Sequence, residues 1–557
     1  MSADGRDPGH LMTDVEYAAG LSVRGASSVA DAAALRAELV GAGVPAKLAD
    51  KDPTLWGPDA EHEAGIRLGW VDTFRRSRDL LPRLAEIRAE IGDLTRVVLA
   101  GMGGSSLAPE VITRTLDVPL VVLDTTDPGQ VRSALFGDGE AATLLRTVVV
   151  VASKSGSTVE TDSHRRAAWQ AFRDAGLSEA ETGRHFVVVT DPGSPLEETA
   201  REMGAYVVLA DPDVGGRYSA LTAFGLVPAA LAGVDVVELI EQAEELAASL
   251  PQDKDNPALA LGAALGAAAR SGRPHVALVD DGTGIVGLGD WAEQLIAEST
   301  GKQGRGILPV VVEAPDAPGA TGEDVLTVSI GGAGRPGEVP GAGLLPDVAV
   351  QGPLGTQFLG WEYATAVAGR LLGIDPFDQP NVAESKDNTK QILAGGTPAE
   401  QPSFTDGAVQ VFGAGTGADS LAAALGSLLD GVDPAGYLAV CAYLDRFADA
   451  DAGRLRALLA ERTTRPVTFG WGPRFLHSTG QYHKGGPLVG SFLQLTGAVA
   501  EDLAVPGRPY TFGELQAAQA AGDRQALASR GRPLLRLHLT DRAGGIAQLL
   551  AAAESLR

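Results

Sequence analysis

Cysteine is almost missing from this sequence. Cys441 is the only one in 557 residues, so an intrachain disulfide and a cysteine cluster for zinc are both excluded. It lies in the apolar run Tyr437-Leu438-Ala439-Val440-Cys441-Ala442-Tyr443 and reads as a small buried hydrophobe. Positive charge is also scarce. Lys and Arg number 45 against 71 Asp and Glu, a net charge of −26, which argues against nucleic acid or an anionic membrane surface as partner. No run is long and apolar enough to cross a membrane, because charge interrupts the Ala-rich stretches. The polar, acidic N-terminus lacks the apolar centre of a signal peptide, so a cytoplasmic location is expected. No short-period repeat is present.

What remains is the composition of a soluble globular protein, 45% hydrophobic and 21% charged, with heavy use of Ala and Gly that favours close helix–sheet packing. The length implies three or so units. Residues 1–60 read as a helical extension, with a helical period over 29–39. Over 61–233, short apolar strands at 96–100, 120–123, 147–152, 186–190 and 206–209 alternate with amphipathic segments. Strand–helix repetition of this kind predicts an α/β fold with a doubly wound, mainly parallel sheet. A second unit of the same kind spans 234–395, with an irregular Gly/Pro-rich stretch expected over 331–355. A C-terminal α/β unit spans 396–557.

Two strand ends carry chemistry, as ligands of such sheets sit at the carboxyl ends of strands. Ser153-Lys154-Ser155-Gly156-Ser157-Thr158 follows an apolar run and precedes a helix-compatible segment. Four hydroxyls, a lysine and the unpaired amides of a helix start form a phosphate cradle; a plain helix cap would need one hydroxyl. Gly101-Met102-Gly103-Gly104-Ser105-Ser106 is not spaced as a dinucleotide fingerprint, although Asp124 stands near the position such a site would use. It fits better as a turn that brings amides close to a sugar or phosphate.

Glu298 closes the helix-like segment from Trp291 and shares a face with Gln294. There it suits a proton shuttle or, alternatively, a solvated helix end that the dipole disfavours. Glu293 reads as structural. Arg217, in a glycine-flanked turn, could stabilise an oxyanion or pair with a neighbouring acid. Lys386 follows a Pro-bounded loop into a helix start and, on its own, reads as a surface lysine.

Taken in order, Gly101-Met102-Gly103-Gly104-Ser105, the turn 153–158, Gly215-Gly216-Arg217-Tyr218-Ser219, Glu298-Ser299-Thr300-Gly301-Lys302 and Pro376-Phe377-Asp378-Gln379-Pro380 resemble the glucose-6-phosphate isomerase family, which has two sugar-isomerase (SIS) domains. The likeness covers about 60–395. The segment 475–487 resembles the C-terminal part of bacterial transaldolase/glucose-6-phosphate isomerase fusions. The resemblance implies isomerisation of glucose 6-phosphate and fructose 6-phosphate through a cis-enediol(ate), in a cytoplasmic homodimer that needs no metal or other cofactor. It also implies roles: Glu298 moves the proton between C2 and C1, and Arg217 stabilises the enediolate. Gly104, Ser105, Ser153, Lys154, Ser155, Ser157 and Thr158 bind the phosphosugar, Gln294 and Gln379 line the site, and Lys386 helps to open the ring. Lys154 reads as less essential than the hydroxyls and amides around it.

One departure stands out. The family places a ring-opening histidine between the catalytic Glu and Lys, and no histidine lies between Glu298 and Lys386. His477 and His483 are the nearest candidates. His483 is favoured because Gly480-Gln481-Tyr482-His483 echoes the Gly-Gln-His string of animal relatives. Two other functions share these features: a dual phosphoglucose/phosphomannose isomerase, and a non-catalytic phosphosugar-binding SIS protein, which would need the cradle but no base.

Overall fold

The computed structural model describes residues 14–137, 141–332, 346–396, 400–413 and 417–556. Its contacts divide the chain into two interleaved compact units: 1–90, 107–120 and 208–379 in one, and 91–106, 121–207 and 380–557 in the other. The α/β class and mainly parallel sheets expected from the sequence are present in both.

The first unit holds a six-stranded sheet in the order Val15–Ala18, Leu21–Arg24, Val348–Gln351, Val325–Gly331, His275–Asp280 and Leu308–Val312. The last four are parallel and built from buried Val, Leu and Ile. Helices Pro257–Arg270 and Leu354–Leu372 pack tightly because Gly262 and Gly266 have no side chain. A Cβ on either would meet Val367 or Leu371 at under 3 Å. Two expectations are corrected. The N-terminal stretch is not purely helical, since Val15–Ala18 and Leu21–Arg24 form an antiparallel hairpin added to this sheet. The stretch expected to be irregular contains the strand Val348–Gln351, while 333–345 lie outside the described residues.

In the second unit a five-stranded sheet runs in the order Val121–Leu123, Arg96–Gly101, Thr147–Ala152, Phe186–Thr190, Tyr206–Leu209. A mixed six-stranded sheet, all from the C-terminal region, belongs to the same unit. Its order is Phe404–Asp406, Val409–Phe412, Leu534–Leu539, Gly490–Gly497, Tyr437–Tyr443, Val467–Trp471. The C-terminal region also packs on the five-stranded sheet: its Val505 and Phe512 lie in the apolar core of Val98, Val149, Val151 and Phe172. Among the described residues no helix is long and apolar enough to cross a membrane.

Candidate functional site

In the first unit, Glu298 sits near the end of helix Leu288–Thr300. Thr300 sets the turn that follows: its hydroxyl donates to the Ile296 carbonyl at 2.8 Å and accepts from the Ile307 amide at 2.9 Å. Glu298 is only 4% exposed, at the helix end where a carboxylate is disfavoured. A cation offsets this: Arg217 Nη1 lies 3.7 Å from Glu298 Oε2, with both side chains buried. Such a pair repays its desolvation only when further hydrogen bonds hold it in place. Arg217 has them, donating through Nε to Ser299 Oγ at 2.8 Å and through Nη2 to the carbonyls of Pro376 at 2.6 Å and Asp378 at 2.9 Å.

Gln294, one turn before Glu298, donates Nε2 to Glu298 Oε2 at 3.4 Å. Its Oε1 is buried with no hydrogen-bond partner among the described residues, an acceptor suited to a ligand hydroxyl. Lys302 pins the same loop as Arg217, reaching the carbonyls of Asp375 at 2.7 Å and Asp378 at 2.6 Å. Burial and the Arg217 charge push the Lys302 amine down to about 8, against the pull of Asp378. Gln379 is exposed, next to the Asp378 carbonyl that both cations hold. Ser299 and Lys302, one and four residues after Glu298, are drawn into the same site by that spacing alone.

In the second unit, the turn 153–158 links strand Thr147–Ala152 to helix Val159–Asp174. Ser153 Oγ and Thr158 Oγ1 lie 3.1 Å apart, as do Ser155 Oγ and Ser157 Oγ at 3.0 Å. Thr158 occupies the N-cap position without capping the helix through its side chain, which leaves the positive helix end open toward an anion. Gly156 is required here, because at φ +66° a Cβ would meet the Leu196 amide nitrogen at 2.8 Å. Lys154 is tied to Asp191 at 2.6 Å. At the neighbouring strand end, Gly104 and Ser105 lie buried in the short turn Gly103–Ser105. Gly101 lets that turn close, since its Cβ would sit 2.7 Å from the Ser105 carbonyl.

The C-terminal region reaches these strand ends. His477 Nε2 lies 3.0 Å from Glu160 Oε1, and Gln519 Nε2 donates to the same oxygen at 2.7 Å. Glu160 is the second residue of the helix that the cradle opens. Burial pushes its carboxyl up, but the charge and hydrogen bond of His477, with the Lys386 charge, outweigh burial and hold it at about 2. Asp124 receives Arg474 Nη1 at 2.6 Å and Ser106 Oγ at 3.3 Å, so its carboxylate serves an ion pair. Lys386 is exposed on helix Val382–Gly395, a little past its first turn.

His483 requires a correction. It is 2% exposed and packed against the rings of Tyr437, Phe475 and Phe492. Neither ring nitrogen has a hydrogen-bond partner among the described residues. Burial, followed by the charges of Lys484 and Arg532, pushes its pKa well below the usual histidine range. A neutral ring sealed in an aromatic core has no route to a sugar. Periodicity could not reveal this, because the Gly-rich string looks like an exposed loop.

Residues 87–303 match the family described as Phosphoglucose isomerase. A glucose-6-phosphate isomerase of Rubrobacter xylanophilus is 32% identical over 378 residues, which cover 56% of this chain and 86% of that protein. The chain belongs to this family. A probable glucose-6-phosphate isomerase of Haloarcula marismortui is 36% identical over 225 residues, 40% of this chain. The chain spans about half the length of that relative, 50% of it. Among solved structures, a glucose-6-phosphate isomerase from Chlamydia trachomatis shares the fold, with a TM-score of 0.54 at 19% identity, over 70% of this chain and 92% of that one.

Proposed function

We propose that this protein is an aldose–ketose isomerase that interconverts glucose 6-phosphate and fructose 6-phosphate through a cis-enediol(ate), a step of glycolysis and gluconeogenesis. One observation carries the reading: a buried carboxylate, Glu298, with the Arg217 guanidinium 3.7 Å away and Gln294 beside it, in a chain of the phosphoglucose isomerase family. In the forward direction Glu298 takes the proton from C2 as the C1 carbonyl becomes an enediolate oxygen. Arg217 bears the charge that develops there. The proton then returns to C1, and the C2 hydroxyl proton passes to the C1 oxygen, which leaves a ketone at C2 and an alcohol at C1. Glu298 is regenerated, and no redox change occurs.

Ser105, Ser153, Ser155, Ser157 and Thr158 hold the phosphate, whose binding energy orients the reacting carbons. With Lys154 engaged by Asp191, hydroxyls and amides carry most of that contact. Gln294 and Gln379 bind sugar hydroxyls, and Lys386 and His477 open the ring. The proposal includes a cytoplasmic homodimer, for which sedimentation of the full chain at twice its 57.2 kDa mass is expected.

Glu298→Gln keeps the shape of the site but cannot take a proton. Exchange of the C2 hydrogen with deuterated solvent is expected to cease, with sugar-phosphate binding within a few-fold of wild type, about 1 kcal/mol or less. Continued exchange would refute Glu298 as the base.

A further inference from the structure

The C-terminal sheet has one apolar face and one mixed face, aromatic toward Tyr437 and Phe492 and polar toward Arg536 and His538. Val411, Leu495, Leu535 and Leu537 point into a core shared with helices Leu421–Asp430, Leu455–Thr463 and Arg542–Glu554. Strand alternation sends Phe412, Thr496, Arg536 and His538 to the other side. Helix Phe512–Ala528 lies there, but it presents Ala517, Ala520 and Ala521, which are too small to fill the space. A cleft of about 510 Å³ results, within the size range of small-metabolite sites.

Two guanidinium groups line it. The Arg536 guanidinium lies over the Phe412 ring, 3.6 Å from its centroid, which fixes its plane. Glu400 Oε2 stands 3.1 Å from Arg524 Nη2 and 3.5 Å from Arg536 Nη1. One half-exposed carboxylate therefore answers two arginines, and one positive charge is left over.

The cleft also contains unmet polar groups. Gln516 Nε2, Arg536 Nε and the Tyr443 hydroxyl are buried without hydrogen-bond partners among the described residues. Gln516 is 4% exposed and Tyr443 1%. Buried donors rarely go unpaired in folded proteins, and three on one cleft call for an acceptor-rich ligand. A phosphoryl group offers three oxygens and close to two negative charges, and its geometry matches the arginine fork. Glu400 supplies a single charge.

We propose that this cleft binds a small organic phosphate, whose phosphoryl group replaces Glu400 between Arg524 and Arg536 and accepts hydrogen bonds from Gln516 and Tyr443. The cleft shares no lining residue with the turn 153–158 or with Glu298. It is a second anion site, independent of the isomerase reading.

Calorimetric titration of the full chain with inorganic phosphate tests the proposal. Glu400→Gln removes the internal competitor and is expected to tighten one binding event by about tenfold. Arg524→Gln and Arg536→Gln are expected to abolish that same event with unchanged circular dichroism. Phosphate held at the turn 153–158 gives a separate event that none of these variants alters, so failure of one site is distinguishable from failure of the other. Should Arg536→Gln not fold, Arg524→Gln, whose side chain is 19% exposed, decides alone. An isotherm unaffected by Glu400→Gln, or one that survives the loss of the arginine, overturns the site. Tighter binding of malonate than of phosphate at that event overturns the ligand class.

Discussion

His477 and His483 stand in the same Gly-rich segment, and their surroundings give them opposite chemistry. His483 is walled in by three aromatic rings and held neutral by burial. His477 meets a carboxylate at the start of the cradle helix, where a proton can be held and passed. The sequence reading favoured His483 on a likeness of letters, and local sequence does not encode which side chains point into a core, where the structure places His483. His477→Gln separates chemistry from packing, as an amide can still donate to Glu160 but cannot transfer a proton. We expect turnover of cyclic glucose 6-phosphate to fall about a hundredfold. An aldose phosphate too short to close a ring should be processed at nearly the wild-type rate. Equal slowing on both substrates would remove His477 from ring opening.

Helix Val159–Asp174 shows how an element ties these residues to stability. Glu160 and His164 share its buried face, and His164 Nε2 meets the Thr125 carbonyl at 2.6 Å while its ring stacks on Phe512. Burial pushes His164 down to about 4, outweighing that hydrogen bond and the nearby acids. The folded chain thus keeps His164 neutral where the unfolded chain, near 6.5, already takes a proton. Its contribution to stability is complete above pH 6.5 and is lost as pH falls toward 4, a loss on the order of 3 kcal/mol. Glu160 continues in the same direction, from its ordinary value of 4.5 down to about 2. Urea unfolding midpoints should fall through both windows, and His164→Asn should flatten the upper one; an unchanged upper window would refute the assignment.

Elements with a clean apolar pattern were legible in the sequence: strands Thr147–Ala152, Phe186–Thr190 and Tyr206–Leu209 match its reading to the residue. Helix Phe512–Ala528 was not, because its buried face carries Gln516, Gln519 and Asp523, which break the apolar period. The N-terminal hairpin was hidden for a different reason. Its turn has positive φ at Ala19 and Gly20, where an Asn-Gly pair would have announced it.

At the scale of the whole chain, the C-terminal region is where linear order misleads most. Read along the sequence, 396–557 is an addition that follows two complete sugar-isomerase units. In space its sheet and the five-stranded sheet fall in one compact unit, with Val505 and Phe512 in the core formed by Val98, Val149, Val151 and Phe172. Three buried acids at or beside the strand ends depend on it. Asp124 pairs with Arg474, Glu160 with His477 and Gln519, and Asp127 Oδ2 with Arg542 Nη2 at 2.7 Å. Removing 396–557 would take from all three carboxylates the partners that hold them. It would also expose the apolar surface that Phe512 covers. A chain ending at residue 395 is therefore expected to lose cooperative unfolding in urea and to expose amides of strands Arg96–Gly101 and Thr147–Ala152 to hydrogen exchange. A merely appended domain predicts the reverse, with those strands as protected as in the full chain. That outcome would show the cradle-bearing sheet to be self-sufficient.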